Sequence, residues 1–145
     1  MVKIILAALL LMAGLASATQ TPAQTKADAI LGEWVSPKKD ARIQIYKQSN
    51  TYAGKVLWGT GSDPKDSKNP DPSLRNRDLI GLTILKSFIF DGDDTWVNGT
   101  IYDPREGKTY SCKLSLKSPD QLNLRGYVGV SLFGRTELWT RVKVN

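Results

Sequence analysis

One pair of acidic residues has the type and spacing for chemistry. Asp103 and Glu106 lie three positions apart in the stretch IYDPREGKTY. Two carboxylates can cleave a glycosidic bond, one as the acid and the other as the nucleophile or base. An aspartate followed by proline and glycine is also typical of a hairpin turn, where the aspartate accepts backbone hydrogen bonds. The turn is the favoured interpretation, so a carboxylate-based enzyme acting on glycans is the least favoured function.

The composition excludes the commonest catalytic groups. The chain has no histidine and a single cysteine, Cys112, which excludes Ser-His-Asp and Cys-His catalysis and zinc sites of the usual kinds. The acidic run DGDD at 91–94 lacks the alternating acids and final glutamate of a calcium loop. We therefore predict no catalytic residue, no metal site and no cofactor.

The stretch NPDPSLRNRD, residues 69–78, is the strongest candidate for binding. It belongs to an aperiodic segment, 59–78, and connections of that length in a small domain are usually functional or disordered. Pro70 and Pro72 restrict the backbone, which lowers the entropic cost of ordering the loop. The segment is therefore predicted to be an ordered loop with a function.

Two residues of this loop suggest how it would bind. Leu74 is a candidate plug over an apolar interior. Arg75 is a candidate partner for an anionic head group, because a guanidinium binds carboxylate or phosphate in bidentate geometry. The alternative, that Arg75 pairs with Asp71 or Asp78 and only fixes the loop, is favoured because arginines are usually satisfied internally.

The N-terminus predicts export. Lys3 precedes an apolar run over 4–16 that ends in the small residues ASA at 16–18, the form of a cleaved signal peptide. We predict a signal peptide over 1–18 and a flexible polar segment over 19–29. The mature protein would be periplasmic or secreted, with no membrane insertion after cleavage.

The charge does not indicate a nucleic-acid partner. The formal net charge is +6, but the basic residues are scattered among acidic ones and form no run. A mildly basic solvated surface is the interpretation that fits.

Period-two alternation predicts an all-β domain over 30–145. In TYSCKLSL at 109–116 the pattern places Cys112 on the apolar face of a strand, buried and inert. Short turns between consecutive strands favour an eight-stranded antiparallel up-and-down barrel, which also leaves no free edges. A two-sheet sandwich is the alternative. The predicted strands are 30–36, 41–47, 52–58, 79–90, 95–102, 108–116, 121–130 and 135–143.

In such a barrel, alternate connections emerge at opposite ends. The long loop therefore shares one end, the mouth, with 37–40, 103–107 and 131–134. The glycine-rich stretch 125–135 would kink at the rim and fold Phe133 toward the opening, or form a bulge needed for closure. The residues predicted to contact a ligand at the mouth are Asn69, Asp71, Leu74, Arg75, Arg77, Tyr102 and Phe133.

Two motifs resemble the lipocalin and fatty-acid-binding superfamily. LGEW at 31–34 resembles its glycine-x-tryptophan signature, and TELWTRV at 136–142 supplies a terminal arginine. In that superfamily the tryptophan closes the barrel floor and the arginine packs across its ring. The resemblance implies that Gly32, Trp34 and Arg141 form the floor. The threonine-aspartate-tyrosine motif and disulfide of classical secreted lipocalins are missing.

A closer resemblance covers almost the whole mature chain. NPDPSLRNR, GTIYDPREGKTY and LRGYVGVSLFGRTELWTR are together similar to a family of small exported bacterial proteins, mostly Gram-negative, classed as a domain of unknown function. That family's fold is lipocalin-like, which implies a barrel with a cavity for an apolar ligand.

These observations predict a binding protein for a small apolar or amphipathic, lipid-like ligand held in the barrel. The alternative is a protein-interaction module with a filled barrel, whose rigid loop engages an envelope or host protein.

Overall fold

The structure is a computed structural model that describes residues 14–19 and 21–143. The side chains of Ala23, Gln24 and Phe133 lie outside the description. Most of the predicted signal peptide, residues 1–13, also lies outside it. Among the described residues, no helix has the length and apolar character that crossing a bilayer requires.

Eight antiparallel strands close into a barrel, which confirms the predicted fold class. Each strand pairs with the next along the chain. β8 returns to β1 through the pairs Trp34–Arg141 and Val35–Thr140. The strands are β1 (Gly32–Val35), β2 (Ala41–Gln48), β3 (Thr51–Gly59), β4 (Thr83–Phe90), β5 (Thr95–Asp103), β6 (Lys108–Ser118), β7 (Gln121–Tyr127) and β8 (Arg135–Arg141).

Two predicted strands are shorter than expected at the mouth. β4 begins at Thr83 rather than at 79, because Leu79 donates its amide proton to the carbonyl of Pro64 in the long loop, 2.9 Å away. β7 ends at Tyr127, and the chain then forms a short 3-10 helix over Ser131–Phe133. Both differences lengthen the connections at the mouth.

The opposite end of the barrel, the floor, is covered by a short helix. α1 (Pro22–Ala27) continues into a 3-10 turn over Asp28–Ile30, within and just beyond the segment 19–29 predicted to be flexible. The indole of Trp96 donates to the carbonyl of Ala27 at 3.0 Å. So short a helix is unstable alone, and contacts with the barrel stabilise it.

Trp34 and Arg141 meet at the floor. The guanidinium lies 4.3 Å from the centre of the fully buried indole ring. It also donates to the carbonyls of Leu31 at 2.7 Å, Ala29 at 2.6 Å and Pro119 at 3.1 Å. The arginine thus links the last strand to the helix, the first strand and the β6–β7 turn.

Gly32 makes room for that arginine. A β-carbon at this position would lie 3.1 Å from Nη1 of Arg141. The φ angle of Gly32 is +122°, a conformation that L side chains rarely adopt. Both the backbone conformation at position 32 and the closeness of Arg141 therefore favour glycine there.

Side chains occupy the barrel interior from the floor upward. A continuous apolar cluster lies there, and one cross-strand contact shows how closely parts of it pack: a β-carbon on Gly99 would lie 2.3 Å from the ring of Phe88. Cys112 is buried as predicted, and burial raises the pKa of its thiol to about 12. The largest members of the cluster are Trp34, Ile43, Tyr52, Leu85, Phe88, Trp96, Leu114, Leu122 and Trp139.

Candidate binding site at the long loop

The long loop leaves and re-enters the barrel at the mouth, the end that strand parity predicts. Its first residues are tied to the β1–β2 turn, where Thr60 donates to the carbonyl of Asp40 at 2.9 Å. Farther along, it packs against the β5–β6 turn so closely that a β-carbon on Gly107 would lie 1.9 Å from the carbonyl oxygen of Lys68. The loop therefore has a fixed seat on the rim.

A buried carboxylate anchors the middle of the loop. Asp66 is fully buried and accepts hydrogen bonds from the Tyr102 hydroxyl at 2.5 Å, from Asn69 Nδ2 at 2.8 Å and from Arg77 Nε at 2.8 Å. We call these four residues the Asp66 clasp. Within it the loop closes on itself, and Tyr102 joins it to β5.

The clasp keeps Asp66 charged. Burial alone would raise the pKa of Asp66, but the three donated hydrogen bonds and the nearby guanidinium outweigh it and hold the pKa below its ordinary value. The same contact acts in the opposite sense on its partner. Burial first, and then the hydrogen bond to Asp66, raises the pKa of Tyr102 to about 12.

The clasp lies on the outer wall of the barrel, beside the mouth. Ile101 packs against the apolar core, and successive side chains of a strand point to opposite faces. Tyr102 therefore points outward and draws the loop onto the outside of β5. Leu74, predicted to be a plug, is half-buried and is not among the apolar side chains packed against the core.

Local hydrogen bonds shape the rest of the loop. Asp71 caps a 3-10 turn over Pro72–Leu74 by accepting from the amide of Ser73 at 2.9 Å. The amide of Asp71 in turn donates to Asn69 Oδ1 at 2.9 Å. The role of Asp71 in the structure is thus a turn cap, and its role toward a ligand stays a prediction.

Arg75 is bound within the loop, but not by the predicted carboxylates. Its Nε donates to the backbone carbonyl of Asn69 at 2.8 Å. Asp78 pairs instead with Lys65, with Nζ and Oδ1 2.5 Å apart. Arg75 remains exposed, and whether it contacts a ligand stays a prediction.

A polar cleft of about 160 Å³ opens between the loop and the outer wall. We call it the loop cleft. It brings together three of the predicted residues, Asn69, Arg77 and Tyr102, whereas Asp71, Leu74 and Arg75 do not line it. Phe133 lies on the β7–β8 connection and its side chain is outside the description. The other lining residues are Pro70, Thr83, Lys86 and Thr109.

The charges of the loop cleft suit an oxyanion. Arg77 uses Nε for Asp66 and sits with its guanidinium carbon 6.0 Å from the centre of the Tyr102 ring. Lys86 is exposed, and no salt bridge of the described residues includes it. Thr109 adds a hydroxyl group, whereas that of Thr83 already bonds the Tyr46 hydroxyl at 2.8 Å. Arginine, lysine and hydroxyl groups are donors typical of carboxylate or phosphate binding.

Sequence reasoning missed Asp66 and Lys86. Nothing in the segment 59–78 distinguishes Asp66 from Asp63, because the difference lies in which one reaches Tyr102. Lys86 had a usable signal: it pairs with Thr100 across β4 and β5, on the outer face next to the loop. Aligning the predicted strands would have found it.

The carboxylates of the β5–β6 connection form the predicted turn. Asp103 Oδ1 accepts from the amide of Arg105 at 3.0 Å, and Gly107 has a φ of +68°. Glu106 Oε2 accepts from the Tyr110 hydroxyl at 2.5 Å. Both carboxylates are therefore engaged by their own turn or by the strand that follows it.

A second cleft, of about 440 Å³, opens beside β1–β3. Glu33 and Arg42 line it together with Leu57 and Trp58. Because Glu33 precedes the inward-facing Trp34, it points away from the interior. This cleft and the loop cleft thus both lie outside the packed barrel core.

A closed barrel whose eight strands pair in chain order, with a tryptophan and an arginine stacked at its floor, is a lipocalin-like fold. A solved structure of protein HP1028 from the human pathogen Helicobacter pylori, described as belonging to the lipocalin family, is similar to it with a TM-score of 0.72. The two share 24% sequence identity over 79% of this chain and 83% of that chain, a likeness that establishes the fold alone.

The chain belongs to the bacterial family described as "Uncharacterized protein conserved in bacteria (DUF2147)", whose profile matches residues 32–141. This confirms the family resemblance inferred from the sequence motifs. No curated protein matches the chain.

Proposed function

We propose that the protein is a binding protein that holds a small molecule by an acidic head group in the loop cleft. The observation that carries this proposal is a lysine, unpaired in the described part of the chain, beside a fixed guanidinium. Arg77 is held in position by the buried Asp66, and Lys86 stands across the cleft without an ion-pair partner among the described residues.

The fixed geometry of the Asp66 clasp supports this proposal. A binding site gains affinity when its groups are already in place, because little conformational entropy is lost when the ligand arrives. Arg77 has its Nε fixed at 2.8 Å from Asp66, so its remaining N–H groups are presented in one orientation. The cleft therefore needs little rearrangement to accept an oxyanion.

The size of the cleft supports a head group rather than a whole lipid. Its volume of about 160 Å³ is below the roughly 300–1,000 Å³ typical of pockets that enclose a small molecule. An apolar ligand inside the barrel, the first expectation from the sequence, has less support because side chains occupy that space. An amphipathic ligand would keep its apolar part outside the cleft.

Calorimetry with octyl phosphate, octanol and inorganic phosphate tests the proposal. We expect octyl phosphate to bind and octanol to bind much more weakly. Lys86→Ala should weaken octyl phosphate binding by roughly 5–10-fold, the effect of one partly screened ion pair. If inorganic phosphate bound as tightly as octyl phosphate, the alkyl chain would contribute nothing to the affinity.

The matched control is Lys117→Ala, which removes an exposed lysine near the floor end of β6. It should leave octyl phosphate binding unchanged. Equal losses for the two variants would mean that the ligand responds only to net charge, and no binding to the parent protein would overturn the proposal.

The N-terminal pattern supports a proposal for the compartment in which the protein acts. The basic, apolar and small-residue order of residues 1–18 supports export to the periplasm or beyond. Mass spectrometry of protein recovered from cell fractions would test this, with a mature N-terminus near Thr19 expected.

A protein partner is the second candidate function, and an exposed tryptophan favours it. Trp58 is 44% exposed in the cleft beside β1–β3, next to Arg42, and these two residue types are enriched where proteins bind each other. Crosslinking in the native compartment should then yield one defined partner, lost in Trp58→Ala and retained in Lys117→Ala.

A further inference from the structure

The connection between β7 and β8 carries an exposed apolar tip, residues 128–134. The exposed fractions are 73% for Val128, 56% for Val130 and 80% for Leu132. Isolated apolar residues on a surface are ordinary, but several at one projecting point mark a contact site. Three within five positions at the mouth is such a concentration.

Arg125 holds the tip in shape. Its Nε donates to the carbonyl of Ser131 at 2.7 Å, and Nη2 donates to the carbonyl of Leu132 at 3.3 Å. Nη1 reaches the hydroxyl of Thr136 at 2.8 Å on the returning strand. Two backbone carbonyls of the tip are thus satisfied from within the hairpin, while the aliphatic side chains are exposed.

The charged residues nearest the tip along the chain are basic. Between Gln121 and Thr136 the chain contains no acidic residue. Neither Arg125 nor Arg135 takes part in a salt bridge within the described residues. The β1–β2 turn at the same end adds Lys38 and Lys39 beside Asp40, and Glu137 follows on β8, so the two arginines that flank the tip are its nearest charges along the chain.

We propose that the tip inserts into the surface of an anionic lipid bilayer. Aliphatic side chains flanked by basic residues are a combination that binds at the interface of such a membrane, through apolar burial and attraction to acidic head groups. A projecting tip also suits a deformable surface, whereas a protein partner would need a matching hollow. The contact would be peripheral, with the mouth facing the membrane.

Sedimentation with lipid vesicles tests this inference. The purified protein should bind vesicles of phosphatidylglycerol and leave those of phosphatidylcholine largely unbound, and added salt should weaken the binding. The double variant Val128→Ser with Leu132→Ser should bind phosphatidylglycerol vesicles about tenfold less, because two apolar side chains are lost from the contact.

The matched control is Ile89→Ser, which removes an exposed apolar side chain, 46% accessible, near the floor end of β4. It should bind vesicles like the parent protein. Circular dichroism would establish that each variant is folded.

Three results would overturn the inference. They are an absence of binding to phosphatidylglycerol, equal binding by the tip variant and the parent, and a parent dimer that the tip variant converts to a monomer in sedimentation velocity. The last result would assign the tip to a second copy of the chain. The proposed function is tested by octyl phosphate in solution, and this inference by the difference between the tip variant and the parent on vesicles, so each can fail while the other holds.

Discussion

The floor and the mouth are both held by a charged side chain, but the two charges have opposite signs and different surroundings. At the floor, Arg141 donates to three backbone carbonyls and lies on the Trp34 ring. At the mouth, Asp66 accepts from three side chains. An arginine stays charged at every working pH, whereas a carboxylate does not. The stacking of Arg141 on Trp34 and its bonds to backbone carbonyls are therefore insensitive to pH, although Arg141 also pairs with Asp120 at 3.6 Å, and the Asp66 clasp weakens in acid.

The two ends also differ in what they hold together. Arg141 ties the first and last strands to the helix that covers the floor, so its contacts are shared by the whole barrel. The Asp66 clasp ties one loop to one strand. Loss of the first should lower global stability, and loss of the second should open the loop while the barrel persists.

Arg141→Ala should have the largest effect. We expect the free energy of unfolding to fall by roughly 3–4 kcal/mol, since hydrogen bonds from a charged group and a cation–π contact are lost together. Urea denaturation measures it. Lys143→Ala, which removes a mostly exposed ion pair with Asp120, is the control and should cost less than about 1 kcal/mol. If both variants lost a similar free energy of unfolding, Arg141 would contribute no more to stability than an exposed ion pair does.

A comparison of Gly107→Ala with Gly92→Ala tests how closely the long loop packs on the β5–β6 turn. Both glycines have positive φ, +68° and +91°, so both variants should lose about 1 kcal/mol from backbone strain. Only at Gly107 would the new β-carbon collide with the backbone of Lys68. We expect an additional loss of about 1–2 kcal/mol there, measured by thermal denaturation. Equal losses would mean that the loop does not press on the β5–β6 turn.

Asp66→Asn should have the smallest global effect and a clear pH signature. The pKa of Asp66 is lowered in the clasp, so the stability it contributes is full above the ordinary pKa of 3.8 and is lost as the pH falls through the lower value. Pepsin should therefore cut the loop of the parent protein increasingly as the pH falls through that range. Asp66→Asn should weaken closure by about 1–2 kcal/mol at neutral pH and show no acid step.

Hydrogen exchange provides the second measurement of that comparison. The amide of Asp66 donates to the carbonyl of Arg77 at 3.0 Å and should lose protection in Asp66→Asn. The amides of β6 should keep theirs. An acid step that persists in Asp66→Asn would assign the pH response to a different carboxylate.

The barrel could be predicted because its signals are local. Alternation of apolar and polar residues and short turns determine strands and their order. Trp34 and Arg141 were recognisable because both lie in short motifs near the ends of the domain. The segment 19–29 was predicted to be flexible, because the helix over Pro22–Ala27 is stabilised by contacts with distant residues such as Trp96.

The site was harder to predict because strand parity assigns a connection to one end of a barrel and no further. Whether the loop then folds inward or outward depends on contacts between distant residues, such as that of Asp66 with the outward-facing Tyr102. The filling of the interior depends likewise on cross-strand fits such as Phe88 over Gly99. These are properties of pairs of residues far apart in the chain, which periodicity does not record.

The single buried thiol of the barrel can report how often the barrel opens. Because burial raises the pKa of Cys112 to about 12 and leaves it without access to solvent, alkylating reagents and oxidants reach it only when the strands separate. The rate of labelling at this single sulfur atom would then count barrel openings directly, unaffected by movements of the loop or the tip.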